Sequence, residues 1–469
     1  MTTVPSAPLS RANAAARGLV PATPPPERIV HLGLGAFHRA HQAWYTAKSA
    51  DAEAWGIAAF TGRSPAMAER LAPQDGLYTL VTRGPRGDDF ELVGSIARAA
   101  AGSDLATFVR SIAAPATAIV TLTITEAGYR LDESGEPDLS DPAVRDDLAA
   151  LATALAPGAS LGAASPRTAL GRLLLGLEAR RRAGSPPLAI VSCDNLPDNG
   201  GRLGRALLSL AESVSAPLAR WLPDAVSSVS TSVDRITPSS DPSLSALVES
   251  ETGWADAAPV VTEPFSSWVL SGEFPSGRPA WETAGATFVD VIEPYEARKL
   301  WLLNGAHTLL ASMGRLRGHR TVAEATADPA CARAVQRWWD EARRHLPAQV
   351  EADRYLHELA ERFRNERIEH RLEQIATDGL TKLRLRVVPV ARLERAAGRP
   401  ATAGAEVIAA WIAAVRSLAP VPDSCDHEIE RARSDAEPTD ALLALVSPAL
   451  AADAAFARTV ADHVTRGTA

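Results

Sequence analysis

Four residues with chemically useful side chains recur at helical spacing within residues 290–312: Glu296, Lys299, Asn304 and His307. Leucine and tryptophan fill many positions between them, and Pro294 suits a first helical turn, where its missing N–H leaves no hydrogen bond unmade. The stretch therefore predicts one long buried helix. At about 100° per residue, the four polar residues fall within a sector of roughly 140°.

Polar side chains on a buried helix are costly unless they pair with one another or take part in chemistry. Burial lowers the pKa of a lysine because it disfavours the charged form, and such a lysine can accept a proton near neutral pH. The four residues therefore predict either a proton-transfer site or a satisfied hydrogen-bond network between two helices. The residue types alone leave both interpretations open.

A glycine-rich turn near the N-terminus is the second candidate site. A predicted strand at 28–32 runs into Gly33-Leu34-Gly35, and a helix follows. Glycine lets the backbone approach a pyrophosphate, and the start of a helix supplies free N–H groups. The pattern predicts a dinucleotide-binding turn, although His38 stands where a third glycine or alanine is usual. A tight turn without a ligand is the alternative. The candidate cofactor-binding residues of this turn are Gly33, Gly35, Phe37, His38 and Arg39.

Polar residues also follow several predicted strands. They are Arg63, Glu126, Asn195 and Asp234, after strands predicted at 55–61, 118–124, 188–192 and 225–233. Because ligands bind beyond the carboxyl ends of strands in open α/β sheets, these residues predict one crevice. No acidic residue follows the second strand to hold the adenosine ribose of NAD, and Arg63 could bind the 2′-phosphate of NADP. We therefore expect NAD or NADP as the cofactor, with Arg63 and Glu126 among its candidate contacts.

The order of the predicted elements gives the fold class. Further strands are predicted at 79–81, 91–97, 266–269 and 287–291, with helices at 104–112 and 202–216, and later helices at 323–339, 353–363, 369–376, 405–418 and 436–454. This order predicts an α/β protein with an N-terminal Rossmann-type dinucleotide-binding domain over residues 1–287. That domain should begin with an Ala- and Pro-rich arm or flexible lead at 1–27 that is not part of the core. A mostly α-helical C-terminal domain should follow over residues 288–469.

Composition narrows the class of protein. The chain has 469 residues, 46% of them hydrophobic, and a net charge of -8, which argues against nucleic acid or an anionic membrane as the main partner. No apolar run is long enough to span a membrane and the N-terminus lacks a signal-peptide pattern, so we expect a cytoplasmic protein. The three cysteines are far apart without a C-x-x-C, so we expect neither a disulfide nor a zinc site. His38 and His41 lack a carboxylate or cysteine to complete a metal site.

Seven motifs together carry a family resemblance. They are GLGAFHRAHQ at 33–42, QDGLYTL at 74–80, TLTITEAGY at 121–129, SCDNLPDNG at 192–200, VDRITP at 233–238, FPSGRPAWE at 274–282 and KLWLLNGAH at 299–307. In this order they resemble the polyol-specific long-chain dehydrogenases, the family of mannitol 2-dehydrogenase and fructuronate (mannonate) reductase. The resemblance implies hydride transfer between a secondary carbinol and the nicotinamide of NAD or NADP, without zinc.

The resemblance also implies roles for individual residues. Lys299 would be the general base, and Asn195 and Asn304 would stabilise the developing alkoxide as hydrogen-bond donors. His307 would orient the sugar chain and Glu296 would relay protons to solvent. Asp234 and Glu126 would line the same pocket. The candidate substrate-binding residues are Asp234 and Lys382.

Two segments depart from the family pattern. Residues 378–384 read DGLTKLR where D-G-S-x-K-x-P is common, and Asn365-Glu366 stands where Asn-Pro is common. Residues 378–384 lack the serine and proline of the family pattern and keep its lysine as Lys382.

We expect D-mannitol and D-fructose as the substrate pair, with D-mannonate and D-fructuronate as the close alternative. A sugar-acid carboxylate would need a cation, for which Lys382, Arg371 and Arg367 are candidates. A non-catalytic nucleotide-binding protein and a metal-dependent sugar-acid dehydratase are more distant alternatives.

Overall fold

The computed structural model describes residues 7–132, 134–238 and 241–467. The chain divides into two compact units, Met1–Glu293 and Pro294–Ala469, called here the Rossmann unit and the helical unit. The domain boundary placed between residues 287 and 288 from the sequence stays a prediction.

Six parallel strands form the centre of the Rossmann unit. We number them in chain order: β1 Glu27–Leu32, β2 Gly56–Phe60, β3 Ile96–Ala100, β4 Ile119–Leu122, β5 Leu188–Ser192 and β6 Val226–Asp234. Their order in the sheet is β3-β2-β1-β4-β5-β6. This is the Rossmann strand order, so the predicted fold class is confirmed. Ser267–Ser271 extends the sheet antiparallel to β6, and Thr287–Phe288 pairs with it in parallel.

The sheet strands are apolar because helices cover both faces of a parallel sheet. Every residue of β2, β4 and β5 is buried. The longer helices of this unit are Leu105–Ala113, Pro142–Ala154, Ala169–Ala183, Asn199–Val214, Ala216–Ala225 and Leu244–Thr252, and the shorter ones are Ala36–Ala40, Gln42–Lys48, Ala66–Leu71 and Glu126–Tyr129. Several begin at a side-chain cap, as where Asp104 accepts from the backbone N–H of Thr107.

A small second sheet corrects one predicted strand. It contains Val260–Thr262, Tyr78–Gly84 and Gly87–Val93. The single strand predicted at 91–97 is wrong, because the chain leaves this sheet after Val93 and enters the large sheet as β3. A run of apolar residues does not reveal which sheet each half will join.

The N-terminal arm is not a loose lead over its described part. Ala7–Pro8 pairs with Trp254–Ala255, and a helix follows at Arg11–Ala16. Leu9 is buried in a small apolar cluster, and Arg11 donates from Nη2 to the Gly94 carbonyl at 2.9 Å. The flexible arm predicted from Ala and Pro content is therefore wrong over these residues; residues 1–6 lie outside the described part of the chain.

The helical unit contains more, shorter helices than predicted. They are Glu293–Arg298, Lys299–Asn304, Gly305–Leu316, Val322–Ala327, Pro329–Ala342, Ala352–Phe363, Leu372–Ala376, Gly379–Arg386, Val388–Ala396, Thr402–Ser417, Asp426–Arg433, Pro438–Val446, Pro448–Ala451 and Ala454–Gly467. The helices predicted at 323–339 and 436–454 are each broken, at Pro329 and Pro448. Proline disfavours a helical residue before it and begins a new helix instead. Within the described residues, no helix is both long and apolar enough to cross a membrane.

Candidate functional site

The residues predicted to carry the chemistry of the helical unit lie on one continuous helical segment, residues 293–316, called here the site helix. It is α-helical over Glu293–Arg298 and again over Gly305–Leu316, but it widens into a π-helical turn over Lys299–Asn304. The helix predicted at 290–312 is therefore present over 293–316, but it is not regular, and residues 294–301 are half-buried instead of buried. π-Helical turns are rare and are frequent at functional sites.

The wide turn changes which side chains share a face. The Gly305 N–H bonds to the Leu300 carbonyl, five residues back instead of four. In an α-helix, residues five apart are rotated by about 140° from one another. A turn that holds about one more residue brings them closer to the same face. Lys299 and Asn304 are five apart, so the π-turn aligns the two residues that a regular helix would separate.

Two tryptophans hold the carbonyl groups of this turn. Trp338 donates from Nε1 to the Trp301 carbonyl at 2.7 Å, and Trp339 donates from Nε1 to the Leu302 carbonyl at 2.9 Å. Both indoles are buried. These donors were not identified from the sequence, since nothing in the spacing of residues 299–307 shows that the helix is irregular.

His307 lies in an aromatic environment. It is 7% exposed, stacks on Phe363 with ring centroids 4.9 Å apart, and meets His370 edge-on at 4.7 Å. Among the described residues, its Nε2 has no hydrogen-bond partner. Burial is the main cause that lowers the pKa of His307 well below its usual value. The nearby basic side chains of His370, Arg362, Arg386 and Lys382 act in the same direction. The imidazole is therefore neutral near neutral pH and can donate or accept one hydrogen bond.

Basic residues lie on the helix that packs near the end of the π-turn. Arg386 approaches the Asn304 carbonyl at 3.4 Å and Thr308 Oγ1 at 3.2 Å. Lys382, predicted to bind substrate, donates to the carbonyl groups of Ile375 and Thr377 at 3.1 and 2.5 Å. It thus caps the end of the short helix before it, and its substrate contact stays a prediction.

In the Rossmann unit, the Gly33 turn requires glycine. Gly33 has a φ of +113°, and a Cβ there would lie 2.1 Å from the Thr123 carbonyl oxygen. The turn therefore sits directly against the exit of β4. Gly35 begins the helix at Ala36–Ala40 without a side-chain cap, so the first N–H groups of that helix receive no bond from a capping side chain. This is the backbone arrangement predicted for a pyrophosphate.

A buried hydrogen-bond chain fixes the turn. Thr123 donates its hydroxyl to the Gly33 carbonyl at 2.9 Å. The two ring nitrogens of His31 lie 2.8 Å from Thr121 Oγ1 and 3.1 Å from Thr123 Oγ1. Since the Thr123 proton goes to Gly33, His31 donates from Nε2 to Thr123 and accepts at Nδ1 from Thr121. Burial lowers the pKa of His31 to about 3, so the ring is neutral.

Two residues predicted to contact the cofactor have buried side chains. His38 is 0% exposed and stacks on His31 with centroids 3.3 Å apart. Arg39 is 2% exposed and donates to the Gly35 and Ala258 carbonyls. Both side chains pack inside the Rossmann unit, and their contact with the cofactor stays a prediction. Phe37 is half-buried, and its cofactor contact stays a prediction.

Asn195 is exposed and follows a residue that ties two strand exits together. Asp194 accepts from the backbone N–H groups of Ile124 and Thr125 at 3.0 and 2.9 Å, and from the Tyr129 hydroxyl at 2.8 Å. These bonds hold Thr125, whose φ is +66°, in a conformation that non-glycine residues rarely adopt. The exit of β4 is thus fixed relative to Asn195.

A second tie joins the exits of β5 and β6. Asn199 donates from Nδ2 to the Asp194 and Thr231 carbonyls, and its Oδ1 accepts from the Thr231 N–H at 2.9 Å. Asp194 and Asn199 both lie in the SCDNLPDNG motif, but the motif alone did not predict these roles. Polar residues that recur inside a strand-exit motif are the signal that would have identified them.

The remaining predicted residues of the Rossmann unit lie at or just after the ends of their strands. Arg63 and Glu126 are exposed after β2 and β4, whereas Asp234 is buried at the end of β6. Glu296 is half-buried in the first part of the site helix. Over residues 7–132, 134–238 and 241–467, no group of three or more His, Cys, Asp or Glu side chains is arranged to hold a metal ion.

The chain matches known protein families over nearly its whole length. The family "Mannitol dehydrogenase Rossmann domain" matches residues 27–283, and "Mannitol dehydrogenase C-terminal domain" matches residues 291–464. D-mannonate oxidoreductase of Escherichia coli (strain K12) is 36% identical over 378 residues, which is 78% of this chain and 75% of the relative. Mannitol 2-dehydrogenase of Cereibacter sphaeroides is 36% identical over 379 residues, 79% of this chain and 77% of the relative.

Solved structures give the same result. The ternary complex of Pseudomonas fluorescens mannitol 2-dehydrogenase with NAD and D-mannitol has a TM-score of 0.81 and 33% identity, covering 98% of this chain and 96% of that one. A substrate-free D-sorbitol dehydrogenase has a TM-score of 0.85 at 26% identity, covering 98% of both chains. These matches confirm the predicted resemblance and the prediction of an oxidoreductase: the chain belongs to the mannitol dehydrogenase family.

Proposed function

We propose that the protein is an NAD-dependent oxidoreductase of the mannitol 2-dehydrogenase type, interconverting D-mannitol and D-fructose without a metal ion. The observation that carries this proposal is the likeness over 98% of the chain to a mannitol 2-dehydrogenase solved with NAD and D-mannitol. The Gly33 turn and the uncapped helix after it suit the pyrophosphate of a dinucleotide, and bound NAD would supply the hydride acceptor at its nicotinamide.

Proton transfer falls to the site helix in this proposal. Lys299, as a neutral amine, accepts the proton of the substrate hydroxyl while hydride leaves the carbon that bears this hydroxyl. Glu296, three residues earlier, passes that proton towards solvent. Lys299 and Asn304 both belong to the π-turn, which supports their use as a proton acceptor and a hydrogen-bond donor on one face.

Charge on the substrate oxygen is stabilised by amide groups. Asn304 and Asn195 donate from their side chains to the oxygen as it becomes an alkoxide, and such donors favour the transition state over the ground state. His307 and Asp234 hydrogen-bond hydroxyl groups further along the sugar chain, and Lys382 lies at its far end. Small molecules are the expected partners, since the net charge of -8 argues against nucleic acid or an anionic membrane. The cytoplasm is the expected location.

A sugar acid is the second candidate substrate, and a specific observation favours it. The basic side chains of Arg362, Arg386 and Lys382 lie near enough to His307 to lower its pKa. A carboxylate can pair with such a side chain, and a neutral polyol cannot. The 36% identity to a D-mannonate oxidoreductase supports the same alternative.

A reduction screen tests both candidates. Purified protein is assayed with D-fructose and D-fructuronate, each with NADH and NADPH. We expect NADH-dependent reduction of fructose for the first candidate and a strong preference for fructuronate for the second. No reduction of either substrate with either cofactor would refute the proposal. Arg63→Ala should weaken NADPH use more than NADH use if Arg63 meets a 2′-phosphate, and equal effects would make it a surface arginine.

A further inference from the structure

We propose that Trp338 and Trp339 are positioning residues that hold the π-turn of the site helix and so keep Lys299 and Asn304 on one face. The inference rests on the proposed function for the roles of Lys299 and Asn304. Its geometric part depends only on contacts within the helical unit.

Hydrogen-bond accounting shows why the turn needs outside donors. In an α-helix the Gly305 N–H would bond to the Trp301 carbonyl, but here it bonds to Leu300. The Trp301 carbonyl accepts from Trp338 Nε1 at 2.7 Å instead, and the Leu302 carbonyl accepts from Trp339 Nε1. A buried carbonyl without a partner is costly, so the two indole donors stabilise the wide turn against the regular helix.

Glycine at position 305 gives the indole its access. Gly305 has ordinary helical angles, with a φ of -64°, so glycine is not required here by the backbone conformation. A Cβ at this position, however, would lie 2.6 Å from Trp338 Nε1. The indole therefore reaches the backbone of the turn only because no side chain stands between them.

The two donors come from a rigid support. They occupy consecutive positions on the helix Pro329–Ala342, where Asp328 caps the first turn by accepting from the Ala330 N–H at 2.7 Å. Trp338 is 0% exposed and Trp339 is 6% exposed. Neighbouring residues on a helix point about 100° apart. Trp338 and Trp339 can therefore donate to two successive carbonyl groups only if both indoles are directed towards the site helix. This arrangement is specific to the turn and is not general core packing.

Three variants and one control test the inference. Trp338→Phe and Trp339→Phe remove the N–H donor and keep an aromatic ring, while Gly305→Ala displaces the indole and keeps every polar group. Trp411→Phe replaces another buried tryptophan of the same unit, whose indole has no hydrogen bond to the site helix among the described residues. The readouts are kcat and KM for NAD and substrate, the melting temperature, and amide hydrogen exchange over residues 300–306.

We expect the first three variants to lower kcat by about 10-fold or more, since a small misplacement of catalytic groups is costly, with KM for NAD within about 2-fold of wild type. Exchange over 300–306 should become faster, and Trp411→Phe should change neither quantity. Unchanged kcat and exchange in Trp338→Phe and Gly305→Ala would overturn the inference, as would an equal loss in Trp411→Phe. If wild type reduces no sugar, the proposed function fails, and the exchange experiment still decides the geometric claim.

Discussion

The two units hold their candidate residues by opposite means. In the Rossmann unit the Gly33 turn and Asn195 follow regular parallel strands, and side chains such as Thr123 and Asp194 tie neighbouring strand exits together. In the helical unit Lys299 and Asn304 depend on a departure from regular geometry. A standard fold can present backbone groups to a cofactor, whereas pairing two side chains five residues apart on one helix needs an irregular turn with its own support.

The largest expected effect comes from the helical unit. Lys299→Ala should lower kcat by about 10³-fold or more, because it removes the proposed general base, while NAD binding should remain close to wild type. Steady-state kinetics and a fluorescence titration with NADH measure the two quantities. Lys48→Ala, an exposed lysine paired with Glu91 in the Rossmann unit, serves as the control. Near-normal turnover in Lys299→Ala would remove lysine as the base.

Substitution of one asparagine in each unit compares how much the two units contribute to kcat. Asn304→Ala and Asn195→Ala should each lower kcat on the order of 10²-fold, as loss of an oxyanion donor does. Asn13→Ala, on the surface of the N-terminal arm, should leave kcat unchanged. If only one of the two variants loses activity, the alkoxide is stabilised by one unit alone and the other asparagine is structural.

Stability should fall in acid because of the buried histidines. Folded His31, with its pKa lowered to about 3, stays neutral, whereas unfolded histidine takes up a proton below about pH 6.5. The unfolded state then binds more protons, so the free energy of unfolding falls as the pH drops. From pH 7 to pH 5 the part due to His31 is about 2 kcal/mol, and His38 and His307 act in the same direction.

Urea unfolding at pH 7 and pH 5 checks this for wild type and His31→Gln. The variant should lose about 2 kcal/mol less stability than wild type over that interval. An equal loss in the two proteins would show that His31 is not held neutral in the folded state.

The smallest expected effect comes from the Gly33 turn, where the cofactor is proposed to bind. Thr123→Val keeps the shape of the side chain but removes the hydroxyl that donates to the Gly33 carbonyl. The loss of one such bond is about 1 kcal/mol, so KM for NAD should rise roughly 5-fold while kcat stays near wild type. Thr123→Ser, which keeps the hydroxyl, should restore KM. A fall in kcat with unchanged KM would mean that the turn does not position the cofactor.

Sequence patterns predicted what depends on local chemistry. Apolar runs located β1, β2, β4, β5 and β6, and the glycines located the turn before the helix Ala36–Ala40. The same patterns did not predict features that depend on contacts between residues distant in the sequence. His38 and Arg39 look like surface residues of a polar motif, yet both are covered by parts of the unit far away in sequence, such as Ala258.

The π-turn was beyond prediction for the same reason. Residues 299–304 read as ordinary helix formers, and the donors that stabilise the wider turn lie 37 positions later. The role of Asp194 could be predicted only in part. Its position in the motif was visible, but its role as an acceptor for Ile124 and Thr125 depends on the neighbouring strand.

Chemical rescue of Lys299→Ala tests the central claim most directly. If Lys299 takes the substrate proton, small primary amines added to the variant should restore turnover in proportion to their concentration, and stronger bases should restore more. Arg384→Ala, on the exposed face of the helix Gly379–Arg386, should show no response to amines. Turnover of Lys299→Ala at the wild-type rate before any amine is added would contradict the account.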